Sequence, residues 1–98
     1  MSVLVELSLF PIGAGETVHT AVAEAVALIR ESGLPHILGP MGTTIEGEWD
    51  EVMAVVSHCY KALAANHNRI YMTMKVDARR GHDGRLSSKV KAVESLLA

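Results

Sequence analysis

Thr43, Thr44 and Glu46 lie close together in a short extended segment that follows the turn-forming run Gly39-Pro40-Met41-Gly42. A carboxylate beside hydroxyls at a strand end suits the binding of amino groups on a small heterocycle. The spacing Thr43-x-x-Glu46 also fits a capping box, in which the pair would satisfy helix N–H groups. Glu48, Asp50 and Glu51 could serve acid/base chemistry or hold a cation. The plainer reading is the first turn of a helix, where the dipole favours negative charge. Five histidines (His19, His36, His58, His67 and His82) raise the question of metal, but they are scattered over different elements. His58 and Cys59 are adjacent, so on a helix they point about 100° apart and do not converge on one ion; no metal site is expected. Cys59 itself falls beside an apolar stripe with no convergent base, which is the signature of packing rather than of a nucleophile. Gly13-x-Gly15 precedes a helix but matches neither the dinucleotide fingerprint nor the P-loop, and reads as a turn. Arg79, Arg80, Arg85, Lys89 and Lys91 form a basic stretch near the C-terminus. Without interleaved aromatics, which Tyr71 alone does not supply, this is a solvated face and no nucleic-acid partner is expected.

The elements that must position these groups can be read from periodicity. Residues 3–10, VLVELSLF, alternate Val3, Val5, Leu7 and Leu9 with Leu4, Glu6, Ser8 and Phe10, the period of a strand with one wholly apolar face. Val18, Ala21, Val22, Ala25, Val26 and Ile29 recur at helical spacing, with Thr17 as a candidate N-cap and Gly33 then Pro35 as the stop. Residues 36–38 and 43–46 are short extended segments around the turn. Trp49, Val52, Met53, Val56, Tyr60 and Leu63 mark a second helix ending near residues 66–68. A further strand over 69–77 sets Ile70, Met72, Met74 and Val76 against Tyr71, Thr73, Lys75 and Asp77. A charged loop and a short helix carrying Leu86, Val90, Val93 and Leu97 complete the chain. The order β-α-β-β-α-β plus a helix predicts an α+β, ferredoxin-like sandwich: a four-stranded antiparallel sheet with two helices on one face. Val3, Val5, Leu7, Leu9, Ile70, Met72, Met74 and Val76 should then face the helices. The opposite, helix-free face would expose Leu4, Phe10 and Tyr71, a patch that suggests self-association.

The bulk numbers agree with one domain over residues 1–98. Nine Lys and Arg against eleven Asp and Glu give a net charge of −2, and 49% of the residues are apolar, which excludes disorder and a strongly basic nucleic-acid binder. No apolar run reaches the 18 or so residues of a membrane span. The N-terminal MSVLVELSLFPIG lacks a positively charged leader and a small-residue cleavage site, so no secretion or membrane partner is expected. The single cysteine fits a reducing, cytoplasmic setting.

The run Gly39-Pro40-Met41-Gly42-Thr43-Thr44-Ile45-Glu46-Gly47-Glu48 resembles the P-M-x-T-x-I-E-G signature of the thiamine-binding protein family, small ferredoxin-like proteins long known only as an uncharacterised family. Pro11-Ile12-Gly13, Val76-Asp77-Ala78-Arg79-Arg80 and Lys89-Val90-Lys91-Ala92-Val93-Glu94 agree in the expected order, so the resemblance covers nearly the whole chain. It implies non-catalytic binding of thiamine or its hydroxymethyl-pyrimidine half by a homo-oligomer, a homotetramer assembled through sheet surfaces, with thiamine as ligand and no cofactor. Carried onto this sequence, it points to Met41, Thr43, Thr44 and Glu46 as ligand-binding residues, with Ser8 as a further candidate. Ala92, where many relatives carry Ser, and the loop Gly81-His82-Asp83-Gly84 depart from the family pattern. An aminopyrimidine needs an apolar wall and one or two fixed polar groups. Met41 or Phe10 would supply the wall, Thr44 and Glu46 would read the amino edge, and a carboxylate would favour the thiazolium cation. Two other readings compete. One is a structural or regulatory homo-oligomer with no small ligand, motivated by the apolar helix-free face. The other is an enzyme using Glu46 as acid/base, which lacks a second convergent catalytic group.

Overall fold

The computed structural model describes residues 2–13, 15 and 18–97. Its elements run β1 (Ser2–Pro11), α1 (Val18–Glu31), β2 (His36–Gly39), β3 (Gly42–Glu48), α2 (Trp49–Ala64), β4 (Ile70–Ala78) and α3 (Arg85–Glu94). The strands form one antiparallel sheet in the order β2-β3-β1-β4, the ferredoxin-like sandwich that the sequence pattern predicts. The expected N-cap Thr17 lies outside the described residues.

The alternation in β1 decides the layering. Val3, Val5, Leu7 and Leu9 point to α1 and α2 and form the core with Ile45, Ala21, Ala25, Ile29, Val52, Val56, Cys59 and Leu63. Each large side chain buried there contributes roughly 1.5–3 kcal/mol. Cys59 is wholly buried, its thiol donates to the Ala25 carbonyl at 3.5 Å, and burial pushes its pKa up. It is packing, as expected. Asp50 and Glu51 sit in the first turn of α2, where they complement the helix dipole.

Two expectations about the sheet faces are corrected. Pairing of Val5 with Val76, Leu7 with Met74 and Leu9 with Met72 does place the apolar β4 residues on the α1/α2 side. Yet Met72, Met74 and Val76 are exposed, because β4 is an edge strand and the two helices lie over β1 and β3; of β4, Ile70 packs against the core. The opposite face is not helix-free. α3 folds back over its Leu4–Glu46–Asp77 end, so Leu4 is buried rather than exposed. Phe10 and Tyr71 do remain together beyond the reach of α3, their ring centroids 5.6 Å apart. No helix among the described residues is long and apolar enough to cross a membrane.

Candidate ligand site

Register assigns the chemistry. The hairpin pairs Gly39 with Gly42, leaving Pro40 and Met41 at its tip. Thr43 then lies between Leu7 and Leu38, and Thr44 between Glu6 and Ile37. Because successive strand residues point to opposite faces, the two threonines serve different sides of the sheet.

On the α1 side, a cavity of about 390 Å³ opens between α1, β1 and the hairpin tip. Val18, Val22 and Val26 line it from α1, Leu7 and Leu9 from β1, and Leu38 from β2. Thr43, only 4% exposed, brings a hydroxyl to this wall, while Met41, 83% exposed, hangs over it from the turn. Ser8 and Phe10 border it, although their alternation with Leu7 and Leu9 turns their side chains to the other face. His19 is the titratable side chain among the described lining residues and sits exposed at the rim. Such a slot, apolar with a fixed hydroxyl, falls in the size range of small-molecule sites, roughly 300–1,000 Å³. It suits a flat ring with a polar edge.

Glu46, expected to read an amino edge, is engaged elsewhere. Its carboxylate is 6% exposed and accepts from the backbone N–H of Arg85 at 2.8 Å, the N–H of Leu86 at 3.4 Å and Ser2 Oγ at 3.4 Å. The first N–H groups of any helix lack intrahelical partners. At α3 the residue before the helix is Gly84, in a left-handed conformation (φ 67°) with no side chain to offer. Glu46 supplies the missing acceptor from another element. It is a capping carboxylate, as the spacing with Thr43 suggested, but for a helix distant in sequence rather than the one that follows.

α3 is also clamped by charge. Arg85 Nη2 donates to Asp77 Oδ2 at 2.5 Å and Lys89 Nζ to the same oxygen at 2.6 Å. Hydrogen bonds from Arg85 and then Lys89 hold the Asp77 carboxyl at about 2, below its ordinary 3.8. Beneath α3 lies a second cavity of about 460 Å³, bordered by Thr44. Of the five candidate residues, then, Met41 and Thr43 share the first cavity, Ser8 borders it, Thr44 belongs to the second, and Glu46 holds α3. The sequence reading missed that Arg85 and Lys89 return to the sheet. The available signal was the apolar pair Leu86 and Val90, which a helix must bury against something. Among the described residues no three His, Cys, Asp or Glu side chains are grouped as metal ligands.

Comparison with known proteins places this geometry. Residues 5–94 match the family model described as "Thiamine-binding protein". A UPF0045 protein of Mycobacterium bovis is 46% identical over 98 residues, covering 99% of this chain and 96% of its own. A hypothetical protein of Methanocaldococcus jannaschii superposes with a TM-score of 0.87 at 26% identity over 95% of this chain and 96% of its own. A Thermotoga maritima protein, provisionally assigned to thiamine biosynthesis or salvage, superposes with a TM-score of 0.85 at 25% identity over 95% and 99% of the two chains.

Proposed function

The chain belongs to the thiamine-binding protein family, and from that premise we propose that it binds thiamine, or its hydroxymethyl-pyrimidine half, without turning it over. The observation that carries this reading is the 390 Å³ cavity between α1 and the hairpin, with apolar walls and the buried Thr43 at its side. The pyrimidine half enters between the α1 valines and Leu7 and Leu9, with its polar edge toward Thr43 and its face under Met41. The thiazolium cation stays at the mouth, since a charge is costly to bury without a partner and the described lining holds no carboxylate. A lone histidine at the rim, with no second group in reach, supports binding rather than catalysis.

The same reading includes self-association in the cytoplasm as a homotetramer. Met72, Met74 and Val76 on one sheet face and Val90 and Val93 on α3 leave apolar surface uncovered, and surface of that kind marks contacts between chains.

The test is calorimetric titration with thiamine and with hydroxymethyl-pyrimidine, in samples whose assembly is measured by light scattering. Both ligands should bind, with similar affinity, because the pyrimidine half is the anchored part. Thr43→Val should weaken binding about tenfold, the worth of one hydrogen bond lost in a buried site, and Thr44→Val should leave it within about twofold. Absence of binding by either ligand to a correctly assembled protein refutes the proposal and favours an oligomer without a small ligand. Loss of binding on Thr44→Val alone moves the ligand to the α3 side.

A further inference from the structure

We propose that the cavity between α3 and the sheet is a second binding site, separate from the first and specific for a small organic anion: an apolar body bearing a carboxylate or phosphate group received by Arg85.

Three observations converge on this ligand class. The first is an unmet donor. The Arg85 side chain is 11% exposed; its Nη2 is bound to Asp77, but its Nη1 is buried and finds no acceptor among the described residues. Buried donors of charged groups are rarely left without a partner, because the cost of desolvation is then unreturned. Arg85 lines the cavity, and guanidinium groups match the planar acceptor geometry of carboxylate and phosphate.

The second is charge. Lys75, Arg85 and Lys89 face the cavity with Glu6 and Asp77. Lys75 pairs with Glu6 at 3.1 Å, whereas Arg85 and Lys89 share the single carboxylate of Asp77. One positive charge is therefore left uncancelled, which attracts an anion and disfavours a thiazolium cation. The third is shape. Leu4, Ile37, Leu86 and Val90 supply the apolar part of a cavity of about 460 Å³, and Ile37 and Val90 are each half exposed until something covers them. A bare inorganic ion would leave those walls wet. An aromatic or aliphatic acid would use both halves of the site.

A clamp that merely docks α3 accounts for Nη2 and for Lys89, but not for Nη1. It also needs no cavity beneath the helix. The two proposed sites lie on opposite faces of the sheet, so each can fail without the other.

The test is a titration of the protein, followed by backbone amide NMR, with phenyl phosphate, benzoate and inorganic phosphate as probes. Phenyl phosphate or benzoate should saturate, moving the amides of Leu4, Thr44, Leu86 and Val90, and should bind at least tenfold more tightly than inorganic phosphate. Arg85→Gln removes the fork, and Arg85→Lys keeps the charge for Asp77 while removing Nη1. The backbone N–H that Glu46 caps survives in both, so α3 docking can be verified from its amide shifts. Binding should fall about tenfold or more in each variant, with thiamine titration unchanged. Equal binding by the variants, shifts confined to the α1 side, or no saturable probe binding by the wild type overturns the proposal. Should Arg85→Gln instead dissociate an oligomer that binds no probe, Nη1 meets a second copy of the chain, and the proposal is equally overturned.

Discussion

Glu46→Gln isolates what the capping carboxylate does. The substitution preserves size and one carbonyl oxygen, so the 2.8 Å bond from the Arg85 N–H can persist as a neutral one. It removes the negative charge at the N-terminus of α3 and turns an NH₂ group toward either the Leu86 N–H or Ser2 Oγ, which now sit at 3.4 Å from carboxylate oxygens. A charge at a partly buried helix N-terminus is worth from 0.3–1 kcal/mol up to about 2, and charge-assisted hydrogen bonds are roughly twice as strong as neutral ones. With one short bond weakened and two long ones disturbed, the expected loss is about 1–2 kcal/mol. That loss should be local. α3 buries none of its own residues fully and is held by Glu46 and Asp77 at its first turns, whereas the other two helices share the core. Segments with few buried contacts open independently of the rest. Native-state hydrogen exchange should therefore show the α3 amides losing protection by about 5- to 30-fold, with the amides of β1 and β3 changed little. The urea midpoint should move less than the exchange data imply. Protection of α3 that stays within about twofold of the wild type refutes the capping argument. Thiamine affinity that drops tenfold while α3 remains docked would instead place Glu46 on the ligand, the role first read from the sequence.

Three further outcomes follow from other residues. Asp77 titrates at about 2, below its ordinary 3.8, because Arg85 and Lys89 donate to its ionised form. Its contribution to α3 docking is thus fully present above pH 3.8 and is lost as pH falls through about 2; carboxyl carbon shifts followed by NMR down to pH 1.5 check this, and high salt should lessen the effect because the side chain is 42% exposed. Gly42→Ala should lower the urea midpoint by the equivalent of about 1–3 kcal/mol, since its Cβ would stand 2.8 Å from the backbone oxygen of Leu7, which cannot step aside as a side chain can. Cys59, wholly buried with its pKa raised by that burial, should resist thiol reagents in the native protein and react at the rate of unfolding.

The parts of the fold that were legible in the sequence are those specified by contacts close in the chain. The alternation Val3-Val5-Leu7-Leu9, the helical spacing from Val18 to Ile29 and the stop at Gly33 each carry their own period, and the structure keeps all three. The exposure of Met72, Met74 and Val76 was hidden because alternation tells which residues share a face, not how far across a sheet the helices reach. The placement of α3 was hidden for a related reason. Residues 78–85 have no period, and the attachment runs through single charges, Arg85 and Lys89 to Asp77, that look like any solvated basic stretch. Thr43-x-x-Glu46 was read as a local cap. Its carboxylate does cap a helix, 39 positions further on, and no local rule could name that partner.

The same contrast decides the candidate site. Thr43 and Thr44 are chemically alike and adjacent, so only register distinguishes the residue beside the apolar slot from the residue beside the charged cavity. A slip of one position would exchange them and carry Ile45 out of the core. What forbids the slip is the hairpin. Gly39 and Gly42 face each other, with the Gly39 Cβ position already 3.0 Å from the Gly42 carbonyl and the Gly42 Cβ position against Leu7. Strands that approach this closely admit no side chain at either position, and so no other residues of β2 and β3 can take their place. The turn beside the family signature therefore contributes to binding without touching a ligand through either glycine: it assigns one threonine to each face of the sheet, and with them two different chemistries.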